Sequence, residues 1–200
     1  MSDSVPYNPL DKKNLGVSVR DAMLAQPISP MPPNELFAGA GIYAIYYAGT
    51  FPPYQRIATA NADDAWEQPI YVGKAIPAGA RRGGLGLDAP AGNVLFRRLQ
   101  EHADSIAQAP NLNLADFACR FLVVDDIWIP LGESLLIESF RPLWNRVVDG
   151  FGNHTPGEGR FNQKRSAWDI IHPGRPWAER CQPGRSEADI LNSINDHLNI

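Results

Sequence analysis

Three short runs of residues have the character of β-strands. Residues 41–47 and 69–74 are rich in Ile, Tyr and Val, and each is bounded by Gly or Pro. Residues 117–124 have the same composition. The pattern predicts three strands separated by longer segments. If the first two pair antiparallel, we expect Tyr43 and Tyr71 to face one another across the sheet.

Helical spacing of apolar residues marks the segments between and after these strands. A short helix is predicted over residues 17–25 and a longer one from Asn93, a favourable N-cap residue, to about residue 107. Residues 132–140 and 186–198 have similar amphipathic patterns. The chain therefore combines strands and helices in one α/β (α+β) arrangement.

The remaining segments lack clear periodicity. Residues 1–40 are rich in proline, residues 48–68 form a long connection, and residues 150–185 are irregular and rich in glycine. There is no internal repeat and no obvious linker. We therefore predict a single domain over residues 1–200, in which 1–39 form an N-terminal arm suited to dimer contacts.

Composition narrows the function classes. The chain has 200 residues, 44% of them hydrophobic, and no apolar run near the ~20 residues that span a bilayer. Only two cysteines and no visible signal peptide favour a reducing, cytoplasmic setting. The net charge of the chain is -4, but residues 74–102 contain five basic and two acidic residues. Residues 151–185 contain six basic and three acidic residues. Two local patches of +3 suit phosphate contacts.

Candidate DNA contacts lie in these two basic patches. A glycine-rich loop, residues 79–86, contains a pair of arginines but does not match the phosphate-binding loop of nucleotide hydrolases. Basic and amide side chains, which read base edges in the major groove, are interleaved in residues 154–165. The alternative for both segments is an ordinary solvated loop. The candidates are Arg81, Arg82, His154, Arg160, Asn162, Gln163, Lys164 and Arg165.

Candidate catalytic groups lie on the helices predicted over residues 93–107 and 132–140. Arg98 and His102 are four residues apart and therefore share a helix face, from which a guanidinium would reach a phosphate. A surface ion pair with Glu101 is the alternative for Arg98, and a structural role is the alternative for His102. The acids Glu133 and Glu138 are five residues apart, so they do not share a face, and either could be a solvated carboxylate.

Several of these residues together resemble one family. The triplets Gly41-Ile42-Tyr43 and Tyr71-Val72-Gly73 resemble the GIY-YIG signature, with Val72 where the name has Ile. Lys74 follows the second triplet, as in many family members. Residues 95–99 resemble the family's arginine helix. Residues 133–145 are similar to its segment with a glutamate, a proline and a final asparagine. Four motifs in order, within residues 40–146, make the resemblance specific.

The resemblance implies a fold and a set of roles. The fold would be a small three-stranded antiparallel sheet flanked by helices, with terminal extensions. Glu133, rather than Glu138, would hold one Mg²⁺ as the single protein ligand. Tyr43, near Tyr71 and Lys74, would take the proton of the attacking water. Arg98 and His102 would neutralise phosphate charge. The implied catalytic set is Tyr43, Tyr71, Lys74, Arg98, His102, Glu133 and Asn145.

Two departures from the family pattern favour one subgroup. The connection at residues 48–68 and the insertion at residues 75–93 are both longer than usual, and residues 147–200 extend the core as a DNA-recognition segment. These features resemble the family's type II restriction endonucleases, in particular those that cut CCGCGG. The implied partners are double-stranded DNA, a second copy of the chain, and a DNA methyltransferase in the same bacterial cell. A repair or structure-specific nuclease and a catalytically silent DNA-binding module are the alternatives.

Overall fold

A four-stranded antiparallel sheet forms the centre of the protein in the computed structural model, which describes residues 8, 10–77, 92–153 and 160–199. The strands are β1 (Ser29–Pro30), β2 (Gly41–Tyr47), β3 (Pro69–Ala75) and β4 (Phe117–Val123), in the order β1-β4-β2-β3. The predicted mixed α/β class with an antiparallel sheet is confirmed. The prediction of three strands was wrong by one, because the two-residue β1 lies in a proline-rich segment without strand periodicity.

Seven α-helices surround the sheet in the described part of the chain. Three of them precede β4 in the sequence: α1 (Lys12–Leu24), α2 (Gln55–Ala60) and α3 (Val94–Ala107). Four follow β4, namely α4 (Ile129–Phe140), α5 (Leu143–Arg146), α6 (Ala167–Ile171) and α7 (Glu187–Leu198). Short 3₁₀ turns precede several of them.

Two of the predicted helices, α1 and α4, begin earlier in the sequence than predicted. α1 begins five residues earlier than predicted, because Asp11 caps it by accepting a hydrogen bond from Lys13 N at 2.8 Å. α3 begins after Asn93 as expected, but the Asn93 side chain makes no capping hydrogen bond. α4 begins at Ile129, with Pro130 in its first turn. The connection at residues 48–68 contains α2, which the sequence did not predict.

Two apolar clusters cover the two faces of the sheet. Because side chains alternate along a strand, Tyr43, Ile45 and Tyr47 enter one cluster and Ile42, Ala44 and Tyr46 the other. The apolar stripe of α3, the aromatic side chains of α5 and α6 and the inner face of α7 complete the first cluster. Helices α1 and α4 cover the second. β2 pairs with β4 on one side and with β3 on the other, and all seven of its residues are buried.

A buried polar network connects the C-terminal segment to the first cluster. His172 has no exposed surface, and its Nε2 lies 2.6 Å from the Tyr54 hydroxyl, which also accepts a hydrogen bond from Trp144 Nε1 at 3.1 Å. The second imidazole nitrogen lies 3.1 Å from Asn111 Oδ1. Burial lowers the pKa of His172 from 6.5 to about 3, so the folded protein holds this imidazole neutral.

No helix within the described ranges is both long enough and apolar enough to cross a membrane.

The neutral His172 predicts how stability depends on pH. The unfolded chain takes up a proton near pH 6.5, but the folded one does so only near pH 3. The free energy of unfolding should therefore fall by about 1.4 kcal/mol per pH unit as the pH decreases through this window. Urea unfolding of His172→Gln should show a shallower decrease over the same range. His197→Gln, at a half-buried histidine outside this network, serves as the control. An equal slope in all three proteins would contradict the assignment.

Candidate active site

The two signature glycines allow close packing of the strands. Gly41 faces the Leu122 carbonyl oxygen of β4, so closely that no Cβ would fit there. Gly73 lies directly opposite Tyr43, and a Cβ on it would lie 2.5 Å from the Tyr43 Cζ. A side chain at position 73 would therefore displace the Tyr43 ring from its place across the edge strand.

Tyr43 and Tyr71 are diagonal neighbours rather than an opposed pair. Tyr43 pairs with Gly73 and Tyr71 pairs with Ile45, so both rings lie on one face with their centroids 6.2 Å apart. The expectation that the phenols lie directly opposite one another was wrong. A side chain at position 73 would fill the space opposite Tyr43, whereas Gly73 leaves that space to the Tyr43 ring.

His102 contacts the buried side of Tyr43. Its Nε2 lies 2.6 Å from the Tyr43 hydroxyl, and only 2% of the residue is exposed. The Phe151 ring stacks on the imidazole with centroids 4.5 Å apart and an interplanar angle of 18°. This location differs from the expected direct contact with phosphate, because His102 is buried beneath the residues that border the cleft.

Arg98 forms hydrogen bonds to Glu101 and to the backbone of Gly152. Its Nη1 donates to Glu101 Oε2 at 2.9 Å, and its Nη2 donates to the Gly152 carbonyl oxygen at 3.0 Å. The side chain retains 19% exposure. The ion pair that the sequence offered as an alternative therefore forms, and the same guanidinium also borders the cleft described below. The two interpretations are compatible.

Lys74 and Glu133 approach the site from the opposite face of β3. Lys74 Nζ lies 2.5 Å from Glu133 Oε2, and the Glu133 side chain is 18% exposed. Glu133 is the fifth residue of α4, so it lies in the second helical turn. Glu138 points elsewhere: it is exposed and pairs with Arg146.

Asn145 forms two hydrogen bonds to the backbone of the edge strand β3. Its Nδ2 donates to the Val72 carbonyl oxygen and its Oδ1 accepts from Val72 N, both at 2.8 Å. Since β3 is an edge strand, this segment of backbone has no strand partner on that side. Asn145 therefore fixes the edge strand between Tyr71 and Gly73.

A cleft of about 750 Å³ brings most of these side chains together. Five of the seven predicted catalytic residues border it: Tyr43, Tyr71, Lys74, Arg98 and Glu133. Tyr43 forms its floor, with no exposed surface of its own. Arg97 and Glu101 of α3 also border the cleft. Arg97 had no predicted role, and Glu101 was predicted only as an ion-pair partner of Arg98.

The tyrosines of the cleft are difficult to ionise. Burial, followed by the adjacent Tyr71, raises the pKa of Tyr43 well above its ordinary value, and Arg98 opposes that increase. Burial likewise raises the pKa of Tyr71, while the charge of Arg98 lowers it. Both phenols are therefore protonated at neutral pH, and Arg98 is the group that most favours a phenolate.

The cleft suits a hard divalent cation with few protein ligands. Within the described ranges, no group of three or more acidic, histidine or cysteine side chains is placed to hold a metal ion together. Mg²⁺ needs only one or two carboxylates, because it keeps several waters and binds phosphate oxygens. Glu133 is the carboxylate that borders the cleft beside the tyrosines, and it already attracts a cation, the Lys74 ammonium. These residues fit the expected Mg²⁺.

The predicted DNA contacts are partly described. Asn162, Gln163 and Lys164 are exposed, whereas Arg165 is half-buried and donates from Nε to the Ala178 carbonyl oxygen at 3.0 Å. Arg160 begins a 3₁₀ turn, and its side chain lies outside the description. Arg81, Arg82 and His154 also lie outside the described residues.

The turn at residues 150–153 was not predicted as part of the site. Gly152 approaches Tyr71 so closely that a Cβ would lie 2.8 Å from the Tyr71 hydroxyl. Glycine is abundant throughout this part of the chain, so Gly152 did not stand out. The buried pair Arg175 and Asp169 was missed too, because an arginine in a basic segment predicts a surface contact.

Comparison with known proteins supplies the family. No curated protein matches the chain. A family model described as the Eco29kI GIY-YIG domain matches residues 35–198, which include both tyrosines, the arginine helix, Glu133 and the C-terminal segment. That match covers most of the chain and the whole of the cleft, so this protein belongs to the Eco29kI GIY-YIG domain family and is a GIY-YIG nuclease of the restriction type.

Proposed function

We propose that the protein is a type II restriction endonuclease that hydrolyses phosphodiester bonds of double-stranded DNA with Mg²⁺, at a GC-rich palindrome such as CCGCGG. The observation that carries the proposal is the convergence of Tyr43, Tyr71, Arg98 and Glu133 on one cleft. These residues come from four different elements of the chain, β2, β3, α3 and α4. Together they suit phosphodiester hydrolysis, since it requires a base, a cation for phosphate and a carboxylate for the metal.

Tyr43 and His102 form a route for the proton of the attacking water. As the water oxygen bonds to phosphorus, its proton passes to the Tyr43 oxygen, while the Tyr43 proton passes to His102 Nε2 across their 2.6 Å contact. The phenolate, costly in a buried site, then need not accumulate. The bond from phosphorus to the leaving deoxyribose oxygen breaks, and that oxygen is protonated by solvent.

Arg98 faces the charge that develops on the phosphate. Its fixed fork of donors suits phosphate oxygens, and its remaining exposed surface opens to the cleft. Glu133 would hold the Mg²⁺, which would supply stabilisation of the charge that develops on the phosphate. Lys74, which pairs with Glu133, borders the same cleft and adds positive charge near the phosphate. Asn145 positions Tyr71 by fixing the strand that carries it.

The proposed partners follow from the substrate. A palindrome is most simply read by a two-fold dimer, and the arm contributes α1, which packs on α4 beside the exposed apolar side chains of Val17 and Leu131. A light-scattering mass of one chain per cognate duplex would contradict the dimer. A methyltransferase that protects the same site in the bacterial cytoplasm completes the system.

The alternatives predict different products. A structure-specific repair nuclease would cut branched or random DNA, and a silent binding module would cut none. The full set of Tyr43, Arg98, Glu133 and Asn145 disfavours the silent module.

Cleavage of plasmid DNA tests the function directly. With Mg²⁺ the protein should give discrete fragments whose sequenced ends share one palindrome, and chelation of the metal should stop the reaction. Glu133→Gln should abolish cleavage and retain specific binding, because it keeps the shape of the side chain and removes its charge. Glu138→Gln is the matched control on the same helix, and it should cut normally. An active Glu133→Gln beside an inactive Glu138→Gln would contradict the site.

Arg98 and Arg97 form a second matched pair on α3. Arg98→Ala should lower the single-turnover cleavage rate by about 10²–10³-fold and change DNA affinity little, because its charge acts mainly in the transition state. Arg97→Ala should instead weaken binding to all sequences and reduce the salt dependence of log K by about one unit. Equal losses of rate and affinity in Arg98→Ala would make Arg98 a binding residue only.

Two exposed neighbours test base recognition. At a site of G·C pairs alone, Lys164→Ala should weaken specific relative to non-specific binding by about 1–3 kcal/mol, because lysine reads guanine. Gln163→Ala should have little effect, since glutamine reads adenine. Binding titrations on cognate and scrambled duplexes measure both. A loss confined to Gln163→Ala would show that the site contains A·T pairs.

A further inference from the structure

Arg175 is a buried arginine outside the cleft. It is 2% exposed, and its guanidinium lies 4.5 Å from the centroid of the Trp168 ring and 4.8 Å from that of Trp177. Its Nε donates to Asp169 Oδ1 at 2.7 Å. A single ion pair would balance its charge, yet the guanidinium has four further N–H donors.

Those donors hold the backbone of one turn. Arg175 Nη2 donates to the Gly150 carbonyl oxygen at 2.9 Å, and Nη1 donates to those of Phe151 and Asn153, both at 3.1 Å. Three carbonyl oxygens of residues 150–153 therefore converge on one guanidinium. The remaining carbonyl of the turn, that of Gly152, points instead to Arg98 Nη2 at 3.0 Å.

The same turn contacts the other catalytic side chains. The Phe151 ring stacks on His102 and meets the Tyr71 ring edge-on, with centroids 4.9 Å apart. Gly152 lies against the Tyr71 hydroxyl. The turn thus touches Arg98, His102 and Tyr71 at once, although it donates no group to the reaction.

We propose that Arg175 is a positioning residue that, with Asp169, fixes the 150–153 turn and through it the orientation of Arg98 and the Tyr43–His102 pair. Asp169 lies in α6, whose N-cap Ser166 is two residues after the last of the exposed residues 162–164. Arg175 and Asp169, which together we call the clamp, therefore also join the proposed recognition segment to the catalytic cleft. The role in cleavage depends on the proposed nuclease function, whereas the control of Arg98 geometry does not.

Two variants remove the clamp in different ways. Arg175→Lys keeps a charge beside Asp169 but cannot reach three carbonyls with one ammonium. The double variant Arg175→Met with Asp169→Asn removes both buried charges, so it leaves neither one unpaired. Arg120→Met is the matched control, because Arg120 also donates to two carbonyls, those of Gln26 and Trp66, and lies over the Tyr46 ring on the other side of the sheet.

Two measurements test the proposal. Single-turnover cleavage of bound DNA should slow by at least about tenfold in both Arg175 variants, with DNA affinity within about threefold of wild type. The ¹⁵N resonance of Arg98 Nε, recorded without DNA or metal, should shift in both variants and remain unchanged in Arg120→Met.

Each other outcome is decisive. Folded variants with a wild-type rate and an unchanged Arg98 resonance would overturn the proposal, as would an equal effect in Arg120→Met. Failure of both variants to fold would make Arg175 a residue of the fold alone and overturn it too. If the wild type does not cut DNA, the nuclease function fails, and the Arg98 resonance still decides whether the clamp orients that side chain.

Discussion

The close approach of Gly73 to the Tyr43 ring is the constraint on which the site depends. The absence of a side chain at position 73 lets the Tyr43 ring lie across the edge strand, with its hydroxyl against His102. Tyr71 can then occupy the diagonal position, and the cleft opens beside β3. Any residue larger than glycine would require the ring, the strand or the imidazole to move.

Placement of the site on an edge strand has a physical cost and a benefit. An edge strand exposes unpaired backbone groups, which Asn145 satisfies by donating to and accepting from Val72. The benefit is access from both faces of the sheet. The tyrosines and Arg98 reach the cleft from one face, while Lys74 and Glu133 reach it from the other. Arg98 and Glu133 can therefore border one cleft although they lie on different helices, α3 and α4.

Packing rather than charge pairing alone keeps these groups in register. The Tyr43 phenol is buried and bonded, Arg98 is shared between Glu101 and Gly152, and the turn that presents Gly152 is held from behind by Arg175. Buried polar groups require such partners, because an unsatisfied one would destabilise the fold. The hydrogen bonds that satisfy the buried polar groups of Arg175 and His102 also restrict the geometry of the cleft.

The sequence by itself determined three of the four strands, the principal helices and the motif residues, since these follow from local periodicity and from side-chain chemistry at fixed spacing. Tyr43, Tyr71, Lys74, Arg98 and Glu133 could be named in this way, and they do border one cleft. Only the tertiary structure decided the diagonal register of the tyrosines, the burial of His102 behind Tyr43 and the role of Asn145 at the strand edge. It alone brought the 150–153 turn against Arg98, because that contact joins residues 54 positions apart. No local pattern encodes such a pairing, which depends on the packing of the whole C-terminal segment around Arg175 and Asp169.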